Sequence, residues 1–477
     1  LFRIDKYFNK VIDVDNIDKK RMEFWRWYFR EFKNDCKNKF AEGPRAFRLS
    51  NQDVYDQMLY SLIHDCDLIL TPTIVSYIYE HKNEEKGGYI YDNLFSGNHH
   101  ETLSLLENFH STTFTHIINR YRRFKLHFYK LTERLFNDWT ELKQIFNLFE
   151  DDLLHKIRLT CGDEHFYGGQ TSILYFGQEE KGFVYKPVGI EGDLLVRELK
   201  ILLGKKGKKS VIIAKDGSGG TEGGYGYIGL HHYVGEVNNI AFAKELYKDF
   251  GRLLGWGKFF KIADGHSDNI IVSKDGVQWI DMEMIFYFGQ KTTYEMHPLE
   301  ETGLIYEAKP QNTHLGIITG IQGGVIPNLS LTVPIVCNDG TDDMYIRYFK
   351  TFISPGCYNR FSTEGTTYNP EDFVIEIQQG YREAIIELYD NKTKLLEYIE
   401  KFFQSRSIRC RYLAQATASY ARFISLLQHT RASSKQDVLV KIRQERMKTF
   451  MDSEKGIQDF IIENELMDLV NGVIPYF

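Results

Sequence analysis

The stretch that decides the fold reads Ile262-Ala-Asp264-Gly-His266-Ser-Asp268-Asn269, then an apolar run Ile270–Val272, a turn containing Asp275-Gly276, a second run Val277–Ile280, and Asp281. Its physical content is an order of side chains. Asp264 is followed five residues later by Asn269, and Asp281 comes twelve residues after that. The two runs between Asn269 and Asp281 read as a β-hairpin. A hairpin is the simplest way to return two chain segments to one ion. The first carboxylate is suited to take or orient the proton of an attacking hydroxyl. The Asn oxygen and the second carboxylate are suited to hold Mg2+ against nucleotide phosphates.

Upstream, Ser172–Phe176 and Phe183–Lys186 are β-rich runs separated by Gly177-Gln-Glu-Glu-Lys-Gly182, a predicted hairpin that comes first in the chain. Lys186 ends its apolar strand. A strand-end Lys followed by Asp, Asn and Asp in this order is the arrangement protein kinases use for ATP and Mg2+. No Gly-x-Gly-x-x-Gly occurs in the first hairpin. His266 follows Asp264, whereas protein kinases place the His before the Asp. The order here is that of lipid kinases and small-molecule phosphotransferases, so the hydroxyl acceptor need not be an ordinary protein-kinase substrate.

The flanks read as helical. Val54, Met58, Leu59, Leu62 and Ile63 fall at helix spacing, with Ser50 as a possible N-cap. A longer stripe runs Phe124, Phe128, Leu131, Leu135, Trp139, Leu142, Ile145 and Phe149. A helix is expected from about Ala241 to Leu254. Tyr381, Ala384, Ile385 and Leu388 form one further stripe, and Leu395, Leu396, Ile399, Phe402 and Phe403 another. Residues 215–229 hold seven glycines and read as a mobile lid. The basic run Gly204–Ser210 reads as a solvated loop. The order predicts an α+β fold in three parts: a helical region over 1–155, a kinase-like core over 156–300, and a mostly helical part over 301–477.

Composition narrows the classes. Lys plus Arg is 59 and Asp plus Glu is 65, a formal net charge of -6, which argues against a general nucleic-acid binder. Apolar residues at 43% exclude a disordered chain. No apolar run approaches ~18 residues, so no transmembrane helix is expected. Cys36, Cys66, Cys161, Cys337, Cys357 and Cys410 form no C-x-x-C pair, which argues against a zinc site and a disulfide framework and favours a reducing cytoplasm. The chain begins at Leu1 without Met and stops on Val473-Ile-Pro-Tyr-Phe477, so both ends read as cut.

Gly162-Asp163-Glu-His165-Phe-Tyr-Gly168-Gly169, together with Val184-Tyr185-Lys186-Pro187, resembles the dehydratase domain of class II lanthipeptide synthetases. Tyr225-Gly226-Tyr227, Asp264-Gly-His266-Ser-Asp268-Asn269, Asp281-Met-Glu283, Thr302-Gly303-Leu304, Gly380-Tyr381 and Gly472–Phe477 match in place and order, from roughly residue 100 to the end. The resemblance implies a lipid-kinase-like bilobal core with added helical elements. It also implies two steps on a precursor peptide with a leader: ATP phosphorylates Ser and Thr, then phosphate is eliminated. By this likeness Asp264, His266, Asn269 and Asp281 serve phosphorylation. Asp163, His165 and Lys186 contribute to elimination, with Lys186 serving both steps.

The family's R-x-x-x-R-P-T segment appears as Arg411-Tyr-Leu-Ala-Gln415-Ala416-Thr417, followed by Tyr420. Arg411 and Thr417 match; Gln415 and Ala416 replace Arg-Pro, so one phosphate-binding charge is absent. The family's C-terminal zinc-binding cyclase domain has no counterpart here, which implies a separate cyclase or no rings if the chain is complete. The runner-up reading is a phosphotransferase that stops at phosphorylation, on a peptide or a small molecule; a third, a degenerate kinase fold that only holds a leader peptide, is argued against by the intact Lys186, Asp264, Asn269 and Asp281.

Overall fold

The computed structural model describes residues 17–48, 52–82, 89–159, 169–177, 181–204, 212–215, 224–287, 299–305, 319–321, 330–352, 358–406, 417–428, 435–449 and 455–475. The chain divides into two compact units, each discontinuous in sequence. The first joins Leu1–Pro187, Thr332–Phe349 and Gln415–Tyr476; the second joins Val188–Leu331, Lys350–Ala414 and Phe477.

In the first unit, α1 (Lys19–Tyr28), α2 (Arg30–Ala41), α3 (Gln52–His81) and α4 (Ser111–Ile145) precede β1 (Leu154–Leu159), β2 (Ser172–Phe176) and β3 (Lys181–Lys186). The expected stripe is buried on α4 from Phe124 to Leu142. Phe149 departs from it: it is 66% exposed and lies past the end of α4, where Asn147 at φ 53° has reversed the chain. Phe32 of α2 meets Phe124 and Phe128 edge-on at 5.6 and 5.7 Å, locking α2 to α4. The strands pair antiparallel, with Ser172 opposite Tyr185 and Leu174 opposite Phe183. The first predicted hairpin is thus present.

Val54–His81 within α3 is long and apolar enough to cross a membrane by length and composition, and 67% of its most apolar window is buried inside the protein, as in a core helix. Ser50 lies outside the described residues.

A polar junction ties distant segments of this unit together. Arg21, 2% exposed, donates from Nε and Nη2 to the two oxygens of Asp67 at 3.1 and 3.0 Å, and from Nη2 to Asp339 at 3.0 Å. Trp25 Nε1 donates to Asp67 at 2.8 Å. Asp339 sits between strands Ser330–Cys337 and Tyr345–Phe352, which pair with each other. This strand pair was not anticipated in the mostly helical last third.

In the second unit, α5 (Glu191–Leu202), β4 (Ile212–Lys215), β5 (Tyr225–Gly229), α6 (Ile240–Phe260), β6 (Ile270–Ser273), β7 (Gly276–Trp279), α7 (Val374–Asp390) and α8 (Lys392–Ser405) surround one apolar core. The second predicted hairpin is β6–β7. Leu388, Leu395 and Phe402 are buried as expected, whereas Leu396 and Phe403 are half exposed. The glycine-rich segment is corrected in part. Its end, Tyr225–Gly229, is a strand paired with β4. Gly226 is there for space, since a Cβ would lie 2.1 Å from Ile190 Cδ1. Residues 216–223 of the expected lid, and 205–210 of the basic run, lie outside the described residues.

Glycines also set the α6–α7 crossing. A Cβ on Gly251 would lie 1.9 Å from Ile377 O, and one on Gly380 would lie 1.9 Å from Lys248 O. Gly→Ala within a helix normally stabilises by about 1 kcal/mol. Here overpacking against rigid backbone wins, so Gly380→Ala is expected to lower unfolding stability by about 1–3 kcal/mol, read from the urea unfolding midpoint.

Asp65 supplies a pH-dependent test of the first unit. Burial alone would raise its carboxyl, but Arg120, which donates from Nε at 3.0 Å, holds it below its ordinary value of 3.8. A depressed carboxyl contributes stability above its unfolded pKa and loses it as pH falls through the folded one. Arg120→Leu is therefore expected to move the acid-unfolding midpoint, followed by circular dichroism, to higher pH.

Candidate active site

The Asp264 loop is shaped by backbone reversals and by glycines with no room for a side chain. Helix α6 ends on Lys261, whose left-handed conformation (φ 48°) turns the chain. Ile262 and Ala263 are buried, and Ala263 N donates to Met284 O at 3.1 Å. Gly265 follows, donating to Thr302 O at 2.7 Å. A Cβ on Gly265 would lie 2.6 Å from that same oxygen, and one on Gly320 would lie 2.5 Å from Gly265 O. Gly303, at φ 73°, lies against Gly265 from a third side. Gly265, Gly303 and Gly320 thus let three segments meet backbone to backbone. Sequence reasoning noted Thr302-Gly303-Leu304 but not this packing; its signal is a Gly in each of three short motifs far apart in the chain.

The polar side chains then organise one another. Asn269, 9% exposed, donates from Nδ2 to Asp264 O at 2.9 Å and to Asp264 Oδ2 at 3.2 Å. His266 Nε2 lies 3.6 Å from Asp264 Oδ1, and its Nδ1 accepts from Asp268 N at 3.2 Å, capping the short 3-10 turn Ser267–Asn269. Asp264 holds φ 68°. That is an uncommon backbone for a residue with a Cβ, and its carboxylate and carbonyl are both engaged by Asn269.

The hairpin returns Asp281 to this turn. Ile270 pairs with Trp279, and Ile280 N donates to Asn269 O at 2.8 Å. Asp281 is the next residue, at φ 71°. Its segment is seated by the N-terminus of α5. Met282 N donates to Asp193 Oδ1 at 3.4 Å, and a Cβ on Gly192 would lie 2.4 Å from Met282 O. Met282 and Met284 are buried, while Asp281 and Glu283 alternate with them and are partly exposed. Gly192 and Asp193 were not singled out from the sequence.

Thus Asp264, His266 and Asn269 are assembled in the second unit, and Asp281 is brought to Asn269. Lys186 ends β3 in the first unit and is 8% exposed. Asp163, His165 and Arg411 lie outside the described residues, as does the side chain of Thr417, which begins the helix Thr417–Gln428. Tyr420 in that helix is a core residue, fully buried and donating to Glu465. Glu465 also receives Arg446 Nε and Nη2 at 2.6 and 2.7 Å.

The family described as "Domain of unknown function (DUF4135)" matches residues 114–477. The lacticin 481/lactococcin biosynthesis protein LcnDR2 of Lactococcus lactis subsp. lactis is 24% identical over 273 residues, which is 53% of this chain and 28% of that protein. The match therefore spans little more than a quarter of that relative's length. The chain belongs to the DUF4135 family and is a class II lanthipeptide synthetase-like protein.

Proposed function

We propose that this chain takes part in lanthipeptide maturation as a dehydratase, phosphorylating Ser and Thr of a precursor peptide with ATP and then eliminating the phosphate. The observation that carries the reading is the clasp of Asn269 on Asp264 with Asp281 delivered beside it by β6–β7. A lipid-kinase-like core is part of the proposal. The peptide hydroxyl oxygen attacks the γ-phosphorus, a P–O bond forms, and the bond to ADP breaks. Asp264 orients the hydroxyl and receives its proton. Asn269 donates to one oxygen of that carboxylate, and His266 Nε2 lies 3.6 Å from the other.

The donor set fits Mg2+. The Asn269 amide nitrogen is committed to Asp264, which leaves its side-chain oxygen as the available donor, and Asp281 follows the Ile280 N–H that the Asn269 carbonyl receives. Two hard oxygens, completed by phosphates and water, are the kind of protein contribution this ion takes. Among the described residues, no group of three His, Cys, Asp or Glu forms a rival metal site. When bound, the ion would neutralise the β- and γ-phosphate charge.

Elimination requires loss of the α-proton and of the Cβ–O bond, with compensation of the departing phosphate charge. Lys186 would hold that phosphate. Asp163, His165, Arg411 and Thr417 are assigned to this step by family likeness.

Asp264→Asn and Asp281→Asn are each expected to cut phosphorylation by about 10²–10⁴-fold, read by mass spectrometry of a cognate peptide with ATP and Mg2+. Near-wild-type transfer by either would sink the assignment. Arg411→Ala should accumulate phosphopeptide at roughly +80 Da per site, whereas the wild type should yield dehydrated product. If the wild type yields only stable phosphopeptide, the chain is a phosphotransferase that stops at the first step.

A further inference from the structure

Lys186 is placed by a device on the opposite face of its sheet. Helix α4 carries His127 and Arg134, seven residues or two turns apart on one face. Arg134 Nη1 donates to Tyr185 Oη at 2.8 Å. His127 Nε2 lies 3.2 Å from Ser172 Oγ. Ser172 and Tyr185 are direct partners across β2 and β3. Two side chains of one helix therefore grip the two members of one cross-strand pair.

The His127 grip is chemically defined. Its Nδ1 accepts from Gln170 N at 3.3 Å, so a neutral ring carries its proton on Nε2 and donates it to Ser172. Ser172 Oγ in turn donates to Gln170 O at 3.2 Å. His127, Gln170, Ser172 and Tyr185 are all buried. Burial raises the Tyr185 phenol above its ordinary range despite the guanidinium beside it, so the hydroxyl stays protonated and accepts from Arg134.

Strand alternation puts Lys186, the next residue, on the face away from α4. We propose that His127 and Arg134 are positioning residues that set the register and height of β3, and through it the place of the Lys186 amine. An apolar contact would bury these strands equally well, but it would not fix the pair along the helix axis. Hydrogen bonds at two points two turns apart do so. The inference rests on the proposed ATP reaction, in which Lys186 holds phosphate.

The test uses the full chain and an acyl-phosphate derivative of ATP. A lysine amine beside the bound phosphates attacks the acyl carbon, forms an amide and releases ATP; mass spectrometry locates the modified residue. Wild type should be labelled at Lys186, and ATP should suppress the labelling. Tyr185→Phe removes one oxygen and keeps the ring, and Arg134→Met removes the donor. Each should slow Lys186 labelling by about tenfold to a hundredfold, with circular dichroism unchanged. The double variant should be no slower than either single one, because both remove the same contact. Labelling of both variants at the wild-type rate overturns the clamp while leaving the ATP reading in place. Absence of ATP-suppressed labelling at Lys186 in the wild type overturns both.

Discussion

The loop that carries Asp264 is arranged around a single interaction, the donation of Asn269 Nδ2 to both the carbonyl and the carboxylate of Asp264. It closes a six-residue turn, Asp264–Asn269, and it holds Asp264 in a backbone conformation that side chains rarely adopt. Asn269 is also where the hairpin begins. The same residue therefore holds the first carboxylate through its side chain and, through its carbonyl, which receives Ile280 N, the backbone that leads into Asp281.

Around that turn, the absence of side chains does as much as their presence. Gly265, Gly303 and Gly320 let the loop sit on Thr302 and Thr319 with backbone hydrogen bonds and no intervening atoms. Gly192 does the same for the segment after Asp281. A loop so supported is stiff, as the proposed phosphoryl-transfer reaction requires, since most of such catalysis is positioning. The α6–α7 crossing through Gly251 and Gly380 repeats the device at the level of whole helices.

Local pattern was readable in the sequence; long-range assembly was not. Both hairpins and the long α4 stripe follow from apolar periodicity and turn residues, which act over a few positions. The return of Asp281 toward Asn269 was legible because the spacing between them encodes a hairpin. The stop of α4 before Phe149 was missed because Asn147 in a left-handed conformation leaves no periodic trace. The glycine-rich run was read as uniformly mobile, yet Gly226 is glycine for want of space. The pairing of Ser330–Cys337 with Tyr345–Phe352 was missed where helices dominate the neighbouring sequence. Nor does periodicity reveal that Arg21 meets Asp339, more than three hundred residues away.

The central claim, that Asp264, Asn269 and Asp281 form a nucleotide–Mg2+ site, is tested most directly by titrating the full chain with ATP, calorimetrically, in Mg2+ and in EDTA. The account predicts that wild type binds ATP at least about tenfold more tightly with Mg2+, and that this difference disappears in Asp281→Asn while its thermal unfolding is unchanged. ATP affinity indifferent to Mg2+, or a Mg2+ effect undiminished in Asp281→Asn, would contradict it.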